Sequence, residues 1–200
     1  MSAMDRTAAR PLVIVVSFAA SLLIGLLVML WGLGGVRGVP APAAIGGPFQ
    51  LTDQGGATVT EKSLQGRPTL IFFGFTHCPD VCPTSLFEIS EVLRAMGQDA
   101  DRVNAYFVSV DPERDNKDAM KDYLSSFDPH LKGLTGDPES VAKALSAYRV
   151  YAKKVPLKDG DYTMDHTALT YLMDRDGKFV APFNLNRKPE EAAADLKRYL

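Results

Sequence analysis

A run of 25 residues without a charged side chain, Leu12–Val36, constrains this chain more than any other feature of its sequence. As a helix rising about 1.5 Å per residue it would reach roughly 37 Å, and the hydrocarbon core of a bilayer is about 30 Å thick. Trp31 lies near its far end, which suits a membrane–water interface. A cleaved signal peptide is the alternative, but its apolar stretch is shorter, about 7–15 residues. The run therefore predicts an uncleaved transmembrane anchor over residues 12–36.

The charges that flank this run predict its orientation. Arg6 and Arg10 precede it, whereas only Arg37 follows closely. By the positive-inside rule, residues 1–11 stay in the cytoplasm and the rest of the chain lies outside. This favours a bacterial inner membrane crossed once, with a periplasmic C-terminal domain; a mitochondrial inner membrane facing the intermembrane space is the alternative. The Gly/Pro/Ala-rich segment over residues 37–47, which has no charge after Arg37, is typical of a linker.

The charge and cysteine counts exclude several functions for the remainder. The residues after position 38 carry a net charge of −4, from 19 basic and 23 acidic side chains. That balance excludes a basic nucleic-acid footprint, so no nucleic-acid partner is expected. Two cysteines exclude a disulfide-dense scaffold, a four-cysteine iron–sulfur cluster and a four-cysteine zinc site. The length remaining suits one domain with a substantial core.

Apolar patterns predict alternating strands and helices after the linker. Thr69–Phe75 is an unbroken β-prone run, as expected for a central strand covered on both faces. Apolar residues from Leu86 to Met96 recur at helical spacing and are followed by Gly97. The remaining predicted elements are a hairpin in 49–60, strands in 103–110, 167–173 and 178–183, and helices in 116–127, after Asp137-Pro138, and in 189–200. This order predicts an α/β, thioredoxin-like domain over residues 48–200, with a mixed central sheet and flanking helices.

The two cysteines lie in one loop, Cys78-Pro79-Asp80-Val81-Cys82-Pro83, between a central strand and the next helix. Ligands bind at this edge of open α/β sheets. Because Pro83 disfavours helical geometry in the residue before it, Cys82 is predicted to be the N-cap. The helix dipole and free amides at that position lower the pKa of a thiol. Two thiolates are therefore expected at a helix N-terminus.

Three functions are open to these thiols. A structural disulfide would close a loop of only five residues, which stabilises little. A dithiol redox enzyme is the second possibility, and a soft-metal site is the third. The Cys-x-x-x-Cys spacing is one residue longer than the familiar redox motif, and leaves room for a metal between the sulfurs.

A histidine helps to choose between these functions. His77 follows a strand end and is expected to point away from Cys78, and His130 is expected in a solvated turn. His166 precedes the predicted strand 167–173, in the loop that faces the cysteine loop in thioredoxin-like folds. Thioredoxin-type oxidoreductases have a cis-proline at that place, but this chain has no proline between residues 156 and 182.

Two thiolates and an imidazole favour Cu(I) and also accommodate Cu(II), whereas zinc would require a fourth ligand.

Three segments together resemble the Sco/SenC family: Gly74–Pro83, Val110–Asp115, and Asp165-His166-Thr167-Ala168 ahead of Tyr171–Asp174. The resemblance implies a membrane-anchored copper chaperone that helps to assemble the CuA centre of cytochrome c oxidase. It implies Cys78, Cys82 and His166 as copper ligands. The implied partners are the oxidase subunit that carries CuA and an upstream periplasmic copper donor. The alternative is a thiol–disulfide oxidoreductase that reduces the CuA-site cysteines, with Cys78 and Cys82 as its redox pair. Whether the chain is an enzyme stays open, and no other catalytic residue is expected.

Three further side chains near the motif are candidate partner contacts. Asp80 lies inside the cysteine loop, where a turn-forming role is the alternative. Asp111 and Arg114 follow a central strand at the same sheet edge, where an internal ion pair is the alternative. Phe72, Phe73 and Phe75 are expected in the core.

Overall fold

The computed structural model describes residues 9–34, 44–158 and 160–200. The helices are α1 (Ala9–Gly34), α2 (Val81–Met96), α3 (Lys117–Leu124), α4 (Pro138–Ala147) and α5 (Pro189–Lys197). The strands are β1 (Gln50–Asp53), β2 (Thr58–Thr60), β3 (Thr69–Gly74), β4 (Asn104–Ser109), β5 (Leu131–Thr135), β6 (Ala152–Pro156), β7 (Tyr162–His166), β8 (Thr170–Met173) and β9 (Phe179–Pro182). Two short 3₁₀ segments, Glu61–Leu64 and Gly97–Arg102, complete the elements.

Helix α1 is long and apolar enough to cross a membrane. Its 26 residues correspond to about 39 Å at the usual helical rise, and Ile14–Trp31 carries no charge. A signal sequence near the N-terminus would meet the same criteria. Residues 1–8 and 35–43, parts of the predicted cytoplasmic segment, anchor and linker, lie outside the described residues.

Residues 44–200 form one compact unit around a seven-stranded sheet. The strand order is β2-β1-β5-β4-β3-β8-β9. Strands β3, β4 and β5 are parallel, whereas β1, β2, β8 and β9 pair antiparallel with their neighbours. The predicted α/β class with a mixed sheet is therefore confirmed. Strand β5 was not predicted, and the predicted strand 167–173 begins only at Thr170.

The core lies on both faces of the central strands. Every residue of β3 is buried, so side chains on both sides of this strand are covered. Helices α2 and α5 pack against one another, α3 packs on β5, and α4 lies against β1. The N–H of Gly46, a residue that the sequence places in the linker, donates to the carbonyl of Ala147 at 2.9 Å. The core thus fixes the carboxyl end of β3, where the cysteine loop begins.

Strands β6 and β7 form a separate antiparallel hairpin that the sequence did not predict. The residues of β6 are mostly exposed and include Lys153 and Lys154, so no alternation of buried and exposed positions marks a strand. His166 is the last residue of β7 and pairs with Ala152. The expectation that His166 lies in a loop is therefore wrong, because this hairpin extends to it.

Candidate metal centre

Helix α2 begins earlier than the sequence suggested. It begins at Val81 with Asp80 as N-cap, so Cys82 is its second residue and the prediction of Cys82 as N-cap is wrong. Pro83 is tolerated in the first helical turn because the N–H that it lacks would have no intrahelical partner there. The N–H of Cys82 donates to Cys78 Sγ at 3.4 Å. The two sulfur atoms are thus held at the first turn of one helix.

Burial determines the acidity of Cys82. The side chain is fully buried, and this burial, followed by the hydrogen bond with Cys78, raises the pKa of its thiol. The expectation of a lowered pKa at the helix N-terminus is wrong for Cys82, because desolvation outweighs the helix dipole here. A metal ion that binds this sulfur as thiolate must displace a proton.

His166 reaches the cysteines from the opposite segment of the fold. Its Nε2 lies 3.7 Å from Cys82 Sγ, and its Nδ1 lies 3.1 Å from the carbonyl oxygen of Thr167. A carbonyl only accepts, so Nδ1 carries the proton and donates. In the neutral imidazole this leaves the lone pair on Nε2, the nitrogen nearer Cys82 Sγ, as a metal-binding imidazole requires.

The three side chains fit one metal ion. The donor atoms of Cys78, Cys82 and His166 all lie within 4.8 Å of one another. Two donors bound to the same ion at typical sulfur and nitrogen distances lie about 3.5–4 Å apart, and the Sγ–Nε2 separation falls in that range. In the described part of the chain, no other set of three His, Cys, Asp or Glu side chains meets this criterion. Two sulfurs and one imidazole form a soft donor set.

Aromatic rings hold the imidazole of His166. Phe75 meets it edge to face, with ring centroids 5.8 Å apart and planes at 90°. Phe72 meets it at 6.5 Å and 77°. Both phenylalanines are fully buried. The sequence predicted these rings in the core, but it did not predict that they would also pack against the imidazole of His166.

A buried carboxylate holds the start of the cysteine loop. Asp115 is fully buried and accepts from the Thr76 hydroxyl at 2.6 Å and from the Ser109 hydroxyl at 2.7 Å. The Thr76 N–H also donates to it, at 3.2 Å. Burial raises the pKa of Asp115, and the hydrogen bonds from Thr76 and Ser109 oppose this shift. Asp115 therefore ties the loop to the end of β4, a role that its position in the sequence alone did not indicate.

Gly74 lets Cys82 approach the sheet. A Cβ atom at Gly74 would lie 2.7 Å from Cys82 Sγ and 2.7 Å from Phe107 Cε2. Both distances are well inside van der Waals contact, so only glycine leaves the sulfur in its present place. The sequence pattern gave no signal for this constraint, which depends on the packing of α2 against β3.

The three candidate partner contacts lie in different environments. Asp80 is exposed, and its side chain makes no capping hydrogen bond. Asp111 is buried and forms an ion pair with Arg114, from Nε to Oδ2 at 2.6 Å. The structure thus shows the internal ion pair that the sequence left open for Asp111 and Arg114.

The other two histidines lie outside the group of metal donors. His77 is exposed, with Nδ1 3.0 Å from the Thr76 hydroxyl. His130 is half-buried rather than solvated, because Asp128 and Asp101 flank its ring at 2.7 and 3.1 Å. The hydrogen bond with Asp128 is the main cause that raises the pKa of His130.

Known proteins are similar to this chain over most of its length. The SCO1/SenC family model matches residues 38–200. ScoI of Bradyrhizobium japonicum, solved with copper bound, is 80% identical with a TM-score of 0.77, over 78% of this chain and 100% of that chain. BsSco, described as a member of the Sco family of cytochrome c oxidase assembly proteins with a disulfide switch, is 25% identical with a TM-score of 0.61, over 80% of this chain and 96% of that chain.

Mitochondrial proteins are also similar to this chain. The human mitochondrial SCO1 homolog is 42% identical over 159 residues, which are 78% of this chain and 53% of that protein. The match to an Arabidopsis thaliana SCO1 homolog covers 43% of that protein, so the chain spans about half the length of these relatives. The family match and these identities together show that the chain belongs to the SCO1/SenC family.

Proposed function

We propose that the chain binds one copper ion through Cys78, Cys82 and His166. The observation that carries this proposal is the convergence of two sulfurs and an imidazole nitrogen within 4.8 Å of one another. Two thiolates suit Cu(I), and the added nitrogen also accommodates Cu(II). The similarity to the copper-bound ScoI of Bradyrhizobium japonicum supports the choice of copper.

The copper is cargo for the CuA centre of cytochrome c oxidase. This part of the proposal rests on family membership, because BsSco is described as belonging to a family of oxidase assembly proteins. Helix α1 anchors the chain in a bacterial inner membrane, with residues 1–11 in the cytoplasm and the domain of residues 48–200 in the periplasm. There it receives copper from an upstream donor and meets the oxidase subunit that carries CuA. Exposed Asp80, beside the cysteines, is a contact for such a partner.

A thiol–disulfide reductase is the second candidate. Both cysteines are free thiols, and the similarity to BsSco, which is described with a disulfide switch, favours redox chemistry. In this function a reduced Cys78–Cys82 pair transfers two electrons to a disulfide at the CuA site and itself becomes a disulfide. That reaction does not use His166 as a metal ligand. The effect of changing His166 therefore distinguishes the reductase from the copper chaperone.

Deletion of the gene under copper starvation tests the proposal. We expect CuA loading of the oxidase to fall, and to recover with the wild-type chain but not with Cys82→Ser or His166→Ala. Added copper should restore part of the loading, because copper at a higher concentration can bind to the CuA site without a chaperone. Normal loading in the deletion strain would contradict the chaperone role. Full rescue by His166→Ala, together with stoichiometric reduction of a CuA-site disulfide by metal-free protein, would establish the reductase instead.

A further inference from the structure

His166, the nitrogen ligand of the proposed site, lies in the β6–β7 hairpin rather than in the central sheet. His166 ends strand β7, and β7 pairs only with β6 among the described strands. At the base of this hairpin the Thr167 N–H donates to the carbonyl of Tyr151 at 3.0 Å, and the Tyr151 N–H donates to the Thr167 hydroxyl at 3.1 Å. By contrast, Cys78 lies in the loop after β3, and Cys82 lies in the first turn of α2. The position of His166 relative to the sulfurs therefore depends on what holds the hairpin against the domain.

One cluster attaches the far end of β7 to the loop after β4. The Tyr162 hydroxyl donates to Asp111 Oδ1 at 2.9 Å, while Arg114 Nε donates to the other oxygen of the same carboxylate at 2.6 Å. Arg114 Nη1 donates to the carbonyl of Tyr162 at 3.0 Å, and its guanidinium carbon lies 3.7 Å from the Tyr162 ring centroid. These three residues form a closed ring of contacts, here called the latch.

A second cation also lies over the ring of Tyr162. Lys154 Nζ, from β6, lies 4.0 Å from the Tyr162 ring centroid and forms an ion pair with Glu113 at 2.6 Å. The ring is therefore in contact with two cations, each of which is attracted to its π-electrons. Because Glu113 lies in the same loop as Arg114, both strands of the hairpin are attached to that one loop.

The latch also contacts the rings that hold the imidazole. Arg114 lies 5.8 Å from the centroid of Phe75, and Phe75 packs edge to face on His166. Tyr162 and His166 are four residues apart on one strand, so both side chains lie on the same face of the hairpin. One nitrogen of the guanidinium, Nη2, is buried without a hydrogen-bond partner.

We propose that Asp111, Arg114 and Tyr162 are positioning residues that fix His166 as the nitrogen ligand of the copper site. The inference rests on the proposed copper function. With the latch intact, the hairpin holds Nε2 against the sulfurs and the site has three donors. With the latch broken, the hairpin moves about its base and the site keeps only the two thiolates. The latch therefore sets how tightly the site holds Cu(II), which depends on the nitrogen ligand, while Cu(I) binding remains because two thiolates suffice for it.

The variant Tyr162→Leu in the full chain, purified in detergent, tests this role. We expect its Cu(II) affinity to fall about 10- to 100-fold, as when a residue that orients a metal ligand is lost, and its nitrogen hyperfine coupling in electron paramagnetic resonance to disappear. The variant should still bind one Cu(I) ion per chain. Tyr162→Phe keeps the stacked ring and should recover part of the Cu(II) affinity. Tyr151→Leu, which changes an exposed tyrosine at the base of the hairpin, is the matched control and should bind as wild type does.

Two further measurements separate the latch from a general structural role. In the metal-free chain, Tyr162→Leu should accelerate amide exchange in β6 and β7 but not in β3. In a His166→Ala background the same change should leave Cu(II) affinity unaltered. Wild-type Cu(II) affinity in Tyr162→Leu, or equal losses for Cu(I) and Cu(II), would overturn the inference. Failure of the wild-type chain to bind copper would instead refute the proposed function, while the exchange measurement would still test the latch.

Discussion

Replacing Gly74 with alanine is expected to weaken copper binding by about 10- to 100-fold in a chain that still folds. The added Cβ would lie 2.7 Å from Cys82 Sγ and 2.7 Å from Phe107 Cε2. Overpacking of this kind in a core costs about 1–3 kcal/mol, and the neighbours relieve it by moving. Because Cys82 is one of those neighbours, its sulfur moves out of the position that it shares with Cys78 and His166. Competition titration with a Cu(I) chelator measures the loss.

Gly133 offers a matched control for this substitution. It lies in strand β5, and a Cβ there would meet Leu124 Cδ1 at 2.8 Å and Met120 Cε at 2.9 Å. Gly133→Ala should therefore destabilise the domain by a similar amount without moving a copper ligand. If Gly74→Ala and Gly133→Ala bound copper equally well, the close approach of Cys82 to the sheet would have no role in the site.

Replacing Asp115 with alanine is expected to lower the free energy of unfolding by about 2–4 kcal/mol, because several buried donors lose their acceptor at once. The Thr76 N–H and the hydroxyls of Thr76 and Ser109 all donate to this carboxylate. Amide exchange should also accelerate from Thr76 to Cys78, since the loop loses its attachment to β4. Thermal unfolding and hydrogen exchange of the metal-free chain measure the two effects.

Asp128 provides the comparison for that prediction. It is also buried, and it accepts from the backbone and ring of His130 at 3.0 and 2.7 Å, outside the cysteine loop. Asp128→Ala should destabilise the domain but leave exchange from Thr76 to Cys78 unchanged, and Asp115→Asn should show a smaller loss than Asp115→Ala. Equal exchange in the Asp115 and Asp128 variants would show that Asp115 acts only through global stability.

Local patterns were sufficient to predict the elements that support the cysteines. The unbroken apolar run at β3 and the helical spacing from Leu86 to Met96 predicted a strand, a loop and a helix, and the structure contains all three. Helix α2 begins two residues before the start that the sequence predicts, because Pro83 is tolerated in a first helical turn although it disfavours helical geometry in the residue before it. The lowered pKa expected for Cys82 was wrong because burial depends on tertiary packing, which the loop sequence does not contain.

Features that depend on long-range contacts could not be predicted in this way. The β6–β7 hairpin has few buried positions, so no periodicity revealed it. The link between Tyr162 and Asp111 spans 51 residues, and Asp115 and Thr76 are 39 residues apart. His166 was selected as a ligand from the expected fold and from the family resemblance rather than from spacing, since 84 residues separate it from Cys82.

X-ray absorption spectroscopy at the copper edge, on the full chain loaded with one equivalent of Cu(I), tests the central claim most directly. The proposed site predicts two sulfur neighbours and one nitrogen neighbour in the wild-type chain, and two sulfurs alone in His166→Ala. Loss of either cysteine should remove stable binding, because one thiolate and one imidazole leave the ion exposed to competing ligands. Identical spectra for the wild-type chain and His166→Ala, with no nitrogen in either, would contradict the account.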